Sequence, residues 1–367
     1  KTILFVQLKK FVVKKKQRNM NKTVKQRDVS LDLIRIMACI MVIMMHSPIP
    51  EANANAYFLS GLSYLTAPCI GLFFMVSGAL LLPSPNASKT EAALPFLQKR
   101  LKRVLMPTLV WTLFYIAVKF CDGDITTEQM FKSIISIPFS AQGHGILWFM
   151  YTLIGLYLVT PILCAWLKNV EEREIRFYLL LWLIVMCYPV LSLVVNVNDT
   201  PTGILYYFSG YIGYYVLGYW LKHYGEKISI KIATILMGIS VAVPVYVKLM
   251  HYTVDFDVMF WYLSIFVAIQ CVFWWKVIKF FSATILFSNR ATTVITLFSN
   301  LSFGIYLSHI FIMRHLIWKV PIIVNIHSQI LKTFVVIIFT LILSFAATWA
   351  LSITPLGNIT VGWRKKH

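Results

Sequence analysis

The sequence predicts an all-α polytopic membrane protein of ten transmembrane helices with both termini cytoplasmic, and three observations carry that prediction. Of 367 residues, 59% are hydrophobic and only 13% charged, and the mean hydropathy of +0.73 exceeds what a soluble core could hide. Apolar runs of about 20 residues recur along the chain, the length needed to cross a bilayer as a helix. The basic residues also fall to one side. With the N-terminus inside, 27 of the 34 Lys and Arg lie in inner segments, ten of them in 1–30 and five in 83–103. The formal net charge of +20 is therefore a topology signal, and nucleic acid is not an expected partner.

Taken in order, residues 1–26 form a basic, Gln-rich tail whose one apolar run, TILFV, is too short to span. The tail is expected to lie on an anionic leaflet as the lipid bilayer's inner partner. Met20 opens MNKTVKQRDVSLDL, so no function is assigned to residues 1–19. Spans follow at 31–50, 60–82, 103–121, 146–167, 175–195, 203–221, 230–250, 257–279, 297–320 and 329–352. They make one domain over 27–355, with 356–367 as a short cytoplasmic tail. Loops of about two dozen residues leave no room for a second soluble domain, so the chemistry belongs in or at the membrane. No short-period repeat and no inverted pair of broken helices is visible. The multi-pass location expected is the cytoplasmic, or inner, membrane. The 15% aromatic content suits interfacial belts.

The six cysteines fall singly within or at the ends of these spans, without C-x-x-C spacing. They are expected to pack as small apolar residues, with neither a disulfide framework nor a metal site.

Four polar constellations interrupt the apolar background. In the first span Asp32, Arg35 and His46 are the ionisable positions. Eleven helical steps bring Arg35 and His46 to one face about 16 Å apart, with Asp32 near the same line. Two readings fit: Arg35 snorkels and His46 marks the interface, or the stripe lines a polar cavity, as ionisable groups within a membrane do when functional. Ser47 and Pro48 end the helix after His46, where water can reach, and a neutral imidazole there could take a proton from a hydroxyl.

The run QKRLKRVLMP places Arg100 and Arg103 three apart. It reads as a positive-inside anchor, or as a fork around the phosphates of a cytosolic ligand. His144 and Trp148 open the fourth span as an interfacial pair, or as contacts to a polyhydroxylated substrate beside Asp122, Asp124 and Glu128. Ser302, Tyr306 and His309, at i, i+4 and i+7, line one face of a late helix. They serve either a helix–helix hydrogen bond or catalysis.

Together these residues resemble the acyltransferase-3 family of bacterial membrane proteins, over about 28–351. The most specific part is LDLIRIMACIMVIMMH, which resembles the family's L-D-x-x-R pattern and its R/K-x10-H motif, with Arg35 and His46 as the arginine and histidine. RLKR resembles the R-x-x-R motif, and LWFMYTLIGLYLVTPIL and FGIYLSH resemble the fourth-helix and late-helix signatures. The ten-helix count also agrees with the family's core. Some members carry a C-terminal SGNH hydrolase-like domain; here any such activity is expected from another protein or is unnecessary.

The resemblance implies O-acyl transfer, usually O-acetylation, from cytosolic acyl-CoA (acetyl-CoA or another) to a hydroxyl of a cell-surface carbohydrate, in polysaccharide modification. Arg100 and Arg103 would hold the CoA phosphates, and the pantetheine arm would lie in a polar channel past Arg35. His46 would act as general base, or as a transient acyl carrier, with Arg35 at the developing charge and Asp32 fixing its orientation. His144, Trp148, Tyr306 and His309 would contact substrate. Polysaccharide biosynthesis proteins are possible partners. Two rivals remain at this stage: a transporter or flippase for a polysaccharide or lipid-linked sugar, and an assembly subunit of an export complex.

Overall fold

A computed structural model describes residues 27–83, 92–140, 147–192, 195, 203–250, 259 and 261–363. The basic tail 1–26 and His144 lie outside the described residues. Every regular element described is helical, without a strand among the described residues. The principal helices are α1 (Val29–His46), α2 (Ala56–Thr66), α3 (Cys69–Leu81), α4 (Ala93–Cys121), α5 (Thr127–Ser136), α6 (Trp148–Asn169), α7 (Glu172–Met186), α8 (Ile212–Tyr224), α9 (Ile230–Leu249), α10 (Ile265–Thr284), α11 (Asn289–Phe311), α12 (Gln329–Ile353) and the single turn α13 (Gly357–Thr360).

Among the described residues, nine helical segments are long and apolar enough to cross a membrane. The protein is thus a multi-pass membrane protein. The sixth expected span, 203–221, differs. It is a 3-10 turn at Tyr206–Phe208 followed by the 13-residue α8. At 1.5 Å per residue α8 is about 20 Å long, short of the roughly 30 Å hydrocarbon layer. Hydropathy merged the two because the aromatic run YYFSGYIGYY is apolar throughout, while Gly210, at φ +85°, ends the turn between them.

The second span is one apolar stretch broken in the middle. Thr66 turns its hydroxyl back onto the Leu62 carbonyl at 2.8 Å, and Pro68, which has no amide hydrogen, starts α3. The Pro68 carbonyl also takes the Cys271 thiol at 3.4 Å from α10. Cys39, Cys69, Cys164 and Cys271 are buried.

Helix α1 is the kernel of the bundle. It packs against α3 and α11, and also against α2, α10 and α12. Van der Waals contact rather than the hydrophobic effect holds helices together in lipid, so small residues mark the tightest crossings. The crossing of α3 and α8 is such a place: a Cβ on Gly78 would stand 1.8 Å from the Tyr215 carbonyl oxygen, and one on Gly218 1.9 Å from that of Met75. This contact locks α3 beside α1, and α1 and α11 then present their polar residues to each other. Lys279 on α10 pairs with Asp28 at 3.1 Å, tying the N-terminal end of α1 to the C-terminal end of α10.

Residues 356–363 do not trail from the bundle. Helix α13 packs on α4 and α12, and Val361 is buried.

Candidate active site

Two helices carry most of the site. Helix α1 brings Asp32, Arg35 and His46; α11 answers with Ser299, Ser302, Tyr306 and His309. Asp32 is 5% exposed and accepts two hydrogen bonds from Arg27, at 2.5 and 2.7 Å, and one from the Ser299 hydroxyl at 2.6 Å. Arg35 donates to that same Ser299 hydroxyl at 3.3 Å. Asp32 is thus held by Arg27 and linked to Arg35 through the Ser299 hydroxyl. Helix periodicity exposes only neighbours on one helix, and Arg27 lies before α1 begins.

Beside Arg35 a cavity of about 380 Å³ opens. Its wall contains three guanidinium-bearing residues, Arg35, Arg100 and Arg103, together with Tyr157, Ser299 and Asn300, and it contains no carboxylate. Neither Arg100 nor Arg103 forms a salt bridge among the described residues, and the buried Nε of Arg100 has no hydrogen-bond partner there. The Arg100 guanidinium lies 5.9 Å from the centre of the Phe96 ring. Three cations in one wall, with a carboxylate close only to Arg35 and that through Ser299, make a site for an anion with more than one negative charge. The volume falls in the range of small-molecule sites, about 300–1,000 Å³.

Part of the wall is aromatic. Phe73, Phe149 and Tyr306 line the cavity and pack on one another, with ring centres 5.3 to 6.5 Å apart. His46 is not in the lining. Its ring lies 5.6 Å from that of His309, which in turn lies 5.6 Å from Tyr306. The cavity beside Arg35 thus reaches Tyr306, and ring contacts through His309 lead on from there to His46.

His309 is 1% exposed. Its Nδ1 lies 2.6 Å from the Tyr306 backbone carbonyl, and a carbonyl can only accept, so Nδ1 carries the hydrogen. In the neutral ring Nε2 then holds a lone pair, and this buried atom has no partner among the described residues.

The backbone around His309 is irregular. Helix α11 gives way to a π-helical turn at Ile312–Leu316 and a 3-10 turn at Ile317–Lys319, a distortion often found at functional sites. Tyr115 of α4 is part of it. Its hydroxyl donates to the Leu307 carbonyl at 2.8 Å and accepts from the Phe311 amide at 3.3 Å, bridging the helical turn that holds His309. Sequence reading missed Tyr115, because a tyrosine inside an apolar helix looks like belt or core.

Trp148 lies in an aromatic cluster with Tyr211 and Tyr262, at 5.5 and 5.6 Å, and the Tyr262 hydroxyl reaches the Met45 sulfur beside His46 at 3.0 Å. Of the three acids weighed with His144, Asp122 stands 3.4 Å from His315, and Glu128 pairs with Lys132 on α5.

A family model described as an acyltransferase domain, that of acyltransferase-3, matches residues 28–352. The chain belongs to the acyltransferase-3 family. No curated protein and no solved structure matches it. Within this acyltransferase-3 protein, both the arginine-lined cavity and the histidine pair draw on helices inside the matched region. The cavity wall also includes Gly362 and Trp363, which lie beyond it.

Proposed function

We propose that this membrane acyltransferase is an acyl-CoA-dependent O-acyltransferase. It would move an acyl group, acetyl in the simplest case, from the cytosolic side of the inner membrane to a hydroxyl of a cell-surface carbohydrate. The observation that carries the reading is the presence of Arg35, Arg100 and Arg103 in one cavity wall whose lining holds no carboxylate, because a CoA donor brings a cluster of phosphates to be neutralised. The domain limits (27–355, with basic flanks), both termini inside, and polysaccharide biosynthesis proteins as partners belong to the same proposal.

The chemistry follows from the positions of the groups. Arg100 and Arg103 hold phosphate at the mouth, and the thioester arm extends along α11 past Ser302 to the packed rings of Phe73, Phe149 and Tyr306. Parting of Phe73, Phe149 and Tyr306 admits the thioester to the histidine pair. The acceptor hydroxyl enters from the His46 end and donates its hydrogen bond to an imidazole lone pair. The hydroxyl oxygen attacks the thioester carbonyl while its proton passes to His46; the C–S bond breaks and the thiolate takes that proton back. His309 Nε2 and Tyr306 position the acceptor, and Trp148 supports the same pocket from α6. Excluding bulk water behind the rings limits hydrolysis of the thioester.

Mass spectrometry of surface glycans from cells carrying wild-type protein, His46→Ala or Arg103→Ala tests this reading. Loss of glycan ester in both variants, with the glycan itself retained, is expected. Unchanged ester in both would refute the reading, and disappearance of the whole glycan would favour a transporter or flippase.

A further inference from the structure

The segment after the last long helix builds part of the cavity. Gly362 and Trp363 line it together with Arg100, Arg103 and Phe303, although both follow the family-matched region, which ends at residue 352. Three features hold this segment in place. The Trp111 indole of α4 donates to the Thr360 carbonyl at 2.8 Å. Val361 is buried under α11, close to Gly304. Gly362 adopts φ +66°, and a Cβ there would stand 2.7 Å from the Arg103 carbonyl oxygen and 2.9 Å from the Phe303 ring. Only glycine gives the chain both that backbone conformation and that approach. The result is a half-buried tryptophan in the same cavity wall as two arginines that have no carboxylate partner among the described residues.

We propose that Trp363 is the platform on which the purine base of the donor's nucleotide end stacks, while Arg100 and Arg103 hold the adjoining phosphates. The inference rests on the acyl-CoA reading and adds to it the place where the base is held. An aromatic face beside guanidinium groups is the pairing that nucleotides recruit: the ring takes the base's π-face and the cations take the phosphates. A simple acyl phosphate would use the arginines and leave the indole idle.

Binding of adenosine 3′,5′-bisphosphate to the full chain in lipid nanodiscs tests this, with acetyl-CoA in a parallel titration. Trp363→Ala is expected to weaken binding about tenfold and Trp363→Phe to restore most of it, as for loss and repair of a stacking surface. In turnover, the loss caused by Trp363→Ala should be about tenfold greater with acetyl-CoA than with S-acetylpantetheine, which has no nucleotide. A merely structural wall would predict equal losses with both donors. Photolabelling of the wild type with 2-azidoadenosine 3′,5′-bisphosphate should mark the peptide containing Trp363, which keeps the test decisive where Trp363→Ala fails to fold. Suppose the bisphosphate binds wild type and weakens in Arg103→Ala, but Trp363→Ala binds it unchanged or the label lands elsewhere. The base platform is then refuted while the donor reading stands. Failure of wild type to bind either the bisphosphate or acetyl-CoA would overturn both.

Discussion

The rings of His46 on α1 and His309 on α11 stand 5.6 Å apart, tilted 38° to each other, and His309 lies 5.6 Å from Tyr306, a residue that lines the arginine-bearing cavity. Histidines 263 positions apart in sequence become one site because α1 and α11 pack directly. General-base catalysis contributes about 10²- to 10⁴-fold. His46→Ala is accordingly expected to lower turnover by at least about a hundredfold while leaving donor affinity within about twofold. His309→Gln, which keeps a hydrogen-bonding group without the imidazole, should chiefly raise the KM for the acceptor. Steady-state kinetics with each substrate varied separately will distinguish the two.

Arg100 and Arg103 should act on the donor alone. A hydrogen bond between charged partners contributes about 1.5–3 kcal/mol, so each Arg→Ala change is expected to raise the donor KM by about ten- to a hundredfold with the acceptor KM unchanged. Arg→Lys should recover only part of the loss, because a lysine cannot form the bidentate fork. An unaltered donor KM in the double variant would remove phosphate binding from this cavity.

Removing the Tyr115 hydroxyl leaves the Phe311 amide and the Leu307 carbonyl to close the turn on their own. Tyr115→Phe is expected to cut turnover by about tenfold, since small displacements of a reacting group are costly, with the thermal midpoint lowered by only a few degrees. Circular dichroism melts alongside activity will separate the two effects.

The α3–α8 crossing offers a stability test away from the chemistry. Gly218→Val inserts a branched side chain where even a Cβ would meet the Met75 carbonyl oxygen at 1.9 Å. Steric clash of this kind should abolish correctly folded protein, visible as loss of the monodisperse peak in detergent chromatography. Gly155→Ala, whose Cβ would meet nothing within 4 Å, is the matched control and should elute as wild type.

Much of this site could be read from single helices. Arg35, Tyr306 and His309 drew attention because each is a polar group whose position in an apolar helix calls for a reason, and Arg100 and Arg103 because their i,i+3 spacing in a basic run suits a phosphate fork. What joins them could not be read that way. Ser299 connects Asp32 to Arg35 across more than 260 residues, and nothing local in the sequence encodes such a contact. Tyr157 and Trp363 line the cavity as aromatic residues indistinguishable by type from the interfacial belt. The sixth span was overestimated because aromatic residues score as lipid-compatible even where glycine and a 3-10 turn shorten the helix. Arg27, the first residue of the expected domain and given no role by the sequence, is the bidentate partner of Asp32.

The account stands or falls on passage of the acyl group from the arginine-lined cavity to the histidine pair. The most direct measurement follows label from [¹⁴C]acetyl-CoA, added on the cytosolic face of membrane vesicles, into ester-linked carbohydrate on the opposite face, with donor binding measured in the same preparations. The account predicts that wild type transfers label, that His46→Ala binds the donor normally but transfers at least about a hundredfold less, and that Arg103→Ala regains transfer at high donor concentration. Undiminished transfer by His46→Ala would contradict it.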